Sequence, residues 1–232
     1  MSRPDRELSW VADGQALFEQ TVLRLDGLGE PSRLPGWTRG HVVTHVTNSA
    51  DGLCRLLAWA RTGIETPMYP SVQARDADLE AGAPRPQAEQ LEDLHRAGVA
   101  FAAAARELAP DHWATTVRIR RSSVPASFIP WARVRELWLH LVDLDAGVEI
   151  DAMPGEIALM LVRNLADWMG TRVQGRIELR SPGREPVAFG PGDGPPTVVS
   201  GPAQHLAAWL TGRSDGTHLT APGGLPALPP WI

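Results

Sequence analysis

The chain has 232 residues, 43% of them hydrophobic, and a formal net charge of −5 with no basic stripe; this suits one large domain or two small ones and argues against nucleic acid as a partner. No run approaches the roughly 20 apolar residues that would span a membrane, and the single cysteine, Cys54, rules out an intrachain disulfide or a cysteine-built zinc cage. Lysine is absent, a bias that a high-GC genome also produces, and with it go Schiff-base, P-loop-lysine and Ser–Lys chemistry.

In chain order, Leu8, Val11, Leu17, Val22, Leu25 and Leu28 recur at helical spacing and predict a first helix over residues 7–29. Pro31 and the Leu34-Pro35-Gly36-Trp37 turn end it. Thr38 is a suitable N-cap for a second helix running through Val42, Val46 and Leu53 to about Ala60. Residues 62–71, with Pro67 and Pro70, read as a loop. A short helix is expected over 72–80, a break over 82–86 and a third long helix over 87–108. Residues 113–119 read as extended. A fourth long helix follows Pro130, spanning 131–144, and Gly147 closes it. Four long helices with short breaks make a bundle, here residues 1–150.

The pattern changes after Asp151. A helix over 154–170 leads into strand-like runs at 176–179, 187–189 and 197–199, separated by glycine and proline. An amphipathic helix over 202–210 and a Gly212-Arg213-Ser214-Asp215-Gly216 turn precede a proline-rich tail. Residues 151–232 therefore read as a small α+β domain.

Glu136 and His140 stand four apart in the fourth helix, within about 40° of each other on one face. His41 and His45 repeat that spacing in the second helix. Each pair alone describes an ordinary i,i+4 contact or a satisfied interior histidine. Together, on helices of one bundle, they are a recurrent way to build a metal site. Imidazole and carboxylate ligands suit zinc or another divalent first-row ion, and three protein ligands would leave a position open. His41 lies three residues after the Thr38 cap, where a side chain reaches back to the helix start, so capping is its expected role. Cys54 falls on the apolar side of the second helix and reads as core.

These residues carry a resemblance. The stretch from Gly36-Trp37-Thr38 through His41 and His45 resembles the metal-binding helix of the mycothiol-dependent maleylpyruvate isomerases, a family of the DinB-like superfamily. The similarity continues through Glu65-Thr66-Pro67-Met68-Tyr69, Val124-Pro125-Ala126-Ser127, Arg135-Glu136 to Leu144, the 212–216 turn and Pro230-Trp231. It implies a mainly α fold, a DinB-like four-helix bundle followed by a small α+β C-terminal domain. It implies zinc held by His45, Glu136 and His140, with His41 outside the ligand set, and mycothiol as thiol cofactor. It places Arg213 in the reaction.

The implied activity is cis–trans isomerisation of maleylpyruvate to fumarylpyruvate in gentisate degradation. Cys54 being core, the nucleophile would be the cofactor thiol. The expected partners are a small dicarboxylate and a low-molecular-weight thiol, without nucleic acid or membrane, on a chain that can act as a monomer. Substrate carboxylates call for arginine: Arg213, joined by Arg75 unless that residue is simply a surface charge. Tyr69, the one tyrosine, either lines the pocket or packs. A mycothiol S-transferase, a non-catalytic binding module and a zinc hydrolase are the competing readings.

Overall fold

The computed structural model describes residues 2–119 and 122–231 and divides into two compact units, Met1–Val148 and Glu149–Ile232. The first unit is built on four long helices: α1 (Asp5–Leu23), α2 (Arg39–Thr62), α4 (Gln87–Glu107) and α5 (Ile129–Asp143), with a short α3 (Val72–Gly82) lying on α2. Helix α2 packs against α4 and α5, and α1 against α5 and α4. The buried positions of α1, Val11, Gly14, Phe18, Thr21 and Val22, keep the helical period, and α5 is buried on nearly every side.

Helix α1 ends at Leu23, five residues before the end of the apolar pattern, and Gly27 takes φ +139°, outside any helix. Leu28 is nonetheless buried, and its carbonyl accepts the Gly40 N–H at 2.9 Å. An apolar residue can stay in phase with a helix while its backbone has turned to serve the next one. Helix α5 starts at Ile129, with Pro130 inside the first turn, where its missing N–H is harmless.

The stretch expected to be extended from Trp113 begins as a 3-10 turn, His112–Ala114, which buries the Trp113 ring. Strand β1 (Thr116–Ile119) follows and pairs antiparallel with β2 (Ser122–Pro125), Val117 opposite Val124. That hairpin delivers the chain to α5.

The second unit opens with α6 (Gly155–Met169), whose buried stripe includes Ile157, Leu161, Leu165 and Met169. Its sheet runs in the order β4 (Val187–Phe189), β3 (Ile177–Arg180), β5 (Thr197–Ser200), antiparallel then parallel. Helix α7 (Ala203–Leu210) packs on α6. No helix of the described residues is long and apolar enough to cross a membrane.

Candidate metal centre

Helix α2 starts where Thr38, extended at φ −82° and ψ 170°, closes a capping box with His41. The Thr38 Oγ1 accepts the His41 N–H at 3.4 Å, and His41 Nδ1 accepts the Thr38 N–H at 3.1 Å. This leaves His41 Nε2 as the protonated nitrogen, 3.6 Å from a Glu80 carboxylate oxygen. Its Nδ1 is committed to the helix start, as the capping position suggests. His41→Ala is accordingly expected to keep bound metal and to lose about 1 kcal/mol of stability or less. Metal content and a denaturant titration on one preparation test both halves of that statement.

One turn on stands His45. Its Nε2 lies 2.9 Å from Glu136 Oε2, and His140 Nε2 lies 3.4 Å from that same oxygen. The two imidazole rings meet edge to face with centroids 4.7 Å apart, and the Trp37 ring stands 5.4 Å from His45. One ligand atom from each of His45, Glu136 and His140 lies within 4.8 Å of the others, and among the described residues only this group satisfies the geometry of a metal site. The three side chains are 18%, 23% and 13% exposed, so the cluster is recessed but reachable. Two imidazoles and one carboxylate are a donor set that fits zinc, with room for an exogenous ligand.

The protons respond to this crowding. Burial lowers the proton affinity of His45 and outweighs the opposing Glu136 carboxylate, so its ring favours the neutral form that a metal needs. Burial would raise the Glu136 carboxyl, but the hydrogen bonds from His140 and His45 dominate and hold it well below the usual range. Burial would likewise lower His140, yet the Asp143 and Glu136 carboxylates prevail and raise it.

Asp143 is a feature that sequence reasoning missed. It is the last residue of α5, 1% exposed, with Oδ2 2.8 Å from His140 Nδ1. A carboxylate at a helix C-terminus opposes the helix dipole, so its burial there needs a partner. By accepting the Nδ1 proton it leaves His140 Nε2 to face the cluster, the arrangement that orients metal-binding histidines. Its i,i+3 spacing from His140 was the available signal.

Arg75 sits in α3, and Asp76 accepts from its Nε and Nη2 at 2.9 and 2.7 Å. Its charge reaches the cluster, contributing to the lowered proton affinity of His45. Tyr69 is half-buried. Cys54 is half-buried rather than fully core, and burial pushes its thiol up to about 11. It is a protonated thiol at neutral pH and a poor nucleophile. Arg213 belongs to the second unit, where it follows α7 in a Schellman turn. The Arg213 N–H reaches back to Ala208 O at 2.8 Å and the Gly212 N–H to Trp209 O at 3.1 Å, with Gly212 at φ +73°. Ser214 Oγ then accepts the Gly216 N–H at 3.0 Å, so the turn is held on both sides of the arginine.

The architecture is that of a DinB-like four-helix bundle followed by a small α+β unit. Residues 14–145 match the family profile described as the mycothiol maleylpyruvate isomerase N-terminal domain, and residues 151–230 match the C-terminal domain profile of the same isomerases. A crystal structure of a mycothiol-dependent maleylpyruvate isomerase superposes with a TM-score of 0.90 at 30% identity, covering 98% of this chain and 97% of that one. The structure of a histidine-to-alanine mutant of such an isomerase gives 0.89 at 29% identity with the same coverage. A search of curated proteins found no significant match. The chain belongs to the mycothiol-dependent maleylpyruvate isomerase family.

Proposed function

We propose that this protein is a zinc- and mycothiol-dependent cis–trans isomerase converting maleylpyruvate to fumarylpyruvate, a step in the breakdown of gentisate. The observation that carries this reading is the convergence of His45, Glu136 and His140 in a recess of a bundle whose family is that isomerase. When bound, zinc and mycothiol would supply a thiolate near neutral pH, whose reversible addition turns the conjugated double bond single, lets it rotate, and restores it as trans when sulfur leaves.

The protein's own residues prepare the site for that chemistry. Depressed proton affinity leaves the His45 lone pair available at neutral pH. Asp143 fixes which nitrogen of His140 is presented, and Glu136 contributes the charge that two imidazoles lack. Cys54, with its raised pKa, does not compete with the cofactor thiol. Arg75 and Arg213 are proposed to bind the substrate carboxylates, since a planar guanidinium can take a carboxylate in two parallel hydrogen bonds. The lone cysteine and the thiol cofactor suit a reducing cytoplasm.

The deciding experiment follows maleylpyruvate isomerisation by the purified protein with and without mycothiol, before and after chelation. Turnover is expected only with the thiol and the metal together. A zinc-loaded protein that ignores maleylpyruvate but joins mycothiol to electrophiles would instead be an S-transferase on the same scaffold.

A further inference from the structure

Arg133 is a fully buried charged residue of the first unit. It lies in α5 one turn before Glu136 and two turns before His140, on the same face. Its two hydrogen-bonded arms end on neutral acceptors. Nη1 donates to Val46 O at 2.6 Å, and Nη2 donates to Gln15 Oε1 at 2.8 Å. Its Nε is buried without a hydrogen-bond partner among the described residues. A charge held this way is heavily desolvated, and its pKa falls to about 10. Packing alone does not explain it, because an apolar side chain of similar volume would serve as well or better.

What the guanidinium does is connect. Val46 is the residue after His45 in α2, and Gln15 belongs to α1. The Gln15 amide is itself held, with Nε2 donating to Leu94 O of α4 at 3.2 Å and to Glu19 at 2.8 Å. Position 98 of α4 is glycine, and a Cβ there would lie 2.7 Å from the Gln15 amide carbon. Two side chains, Arg133 and Gln15, thus join all four long helices. That link is fastened to α2 beside His45 and to α5 one turn from Glu136. A 2.9 Å contact between ligands on two separate helices requires their spacing to be fixed to a fraction of an ångström, and apolar packing tolerates more slack than a directed pair of hydrogen bonds.

We infer that Arg133, with Gln15, is a positioning residue for the metal centre: its buried hydrogen bonds to Val46 O and Gln15 set the α2–α5 spacing at which His45, Glu136 and His140 meet one ion. The inference rests on the metal-centre reading above. It is distinguishable from a purely electrostatic role, because deleting a cation next to a cation site should tighten metal binding, whereas loosening a frame should weaken it.

The test compares Arg133→Met, Arg133→Lys and Gln15→Met with the parent. It measures the zinc dissociation constant by competition with a chromogenic chelator, and the urea midpoint of each metal-free protein. Arg133→Met is expected to unfold at no lower urea concentration than the parent. Its zinc constant should nevertheless rise tenfold or more. Arg133→Lys should recover part of the loss, an ammonium reaching one acceptor but not both. Gln15→Met, which keeps the bond to Val46 and cuts the link to α1 and α4, should weaken zinc severalfold. It decides the matter alone if Arg133→Met does not fold. An unchanged or tighter zinc constant in the folded variants overturns the frame. A parent that binds no zinc, or binds it equally after His45→Ala, refutes the centre itself and the frame with it.

Discussion

His45→Ala, Glu136→Ala and His140→Ala are each expected to lose stoichiometric zinc and, with it, isomerisation. Each side chain would supply one of three protein bonds, and the three come from only two helices. With one gone, the remaining pair can hold an ion only weakly. Loss should exceed the 10–100-fold typical of partners that merely orient a ligand. The fold should survive, because the three side chains are part-exposed at a recess rather than filling the core. Glu136→Ala also removes the one anionic donor of the three, leaving two neutral imidazoles facing the ion. Metal analysis and circular dichroism on the same preparations check these outcomes. Full zinc in folded His45→Ala would abandon the site as drawn.

The second large effect is expected at Arg213. Replacement by alanine should leave zinc content and folding intact yet cut turnover of the dianionic substrate by about a hundredfold, on the order of 3 kcal/mol of transition-state stabilisation. The proposal stands on the family resemblance and on how the residue is held. Its backbone N–H is bound to Ala208 O, and Gly212 and Gly216, both at positive φ, let the chain turn sharply on either side. A Cβ at position 216 would lie 2.3 Å from a Leu225 methyl, so the turn is packed as well as bent. Arg213→Lys should recover only part of the rate, since an ammonium lacks the planar fork. Steady-state isomerisation at saturating mycothiol, with zinc assayed alongside, is the measurement. Unchanged turnover in Arg213→Ala would remove this arginine from the reaction.

Much of this was legible in the residues themselves. The Thr38 cap, the four-residue spacings of His41–His45 and Glu136–His140, and the capping role of His41 all follow from helix geometry and local hydrogen bonding, which depend on near neighbours in sequence. Arg133 and Asp143 were not singled out. A charged residue in a helix reads as solvent-facing unless its partners are known, and the partners of Arg133 lie 87 and 118 residues away. The β1–β2 hairpin escaped because Pro125 reads as a breaker, although proline is tolerated at a strand end. Helix α1 was overextended because periodicity reports which side a residue faces, not whether its backbone still coils.

The capping box has a consequence for coordination number. His41 stands one turn from His45 on the same helix, near enough in sequence to offer a third imidazole to the same ion. Helix α2 uses that ring for its own first turn. The demand of a helix terminus would thereby withhold a ligand from a bound metal. A divalent ion held by His45, Glu136 and His140 would stay unsaturated by protein, with a vacancy that only an outside molecule can fill. In that sense Thr38, by engaging His41, would keep such a centre from closing on itself.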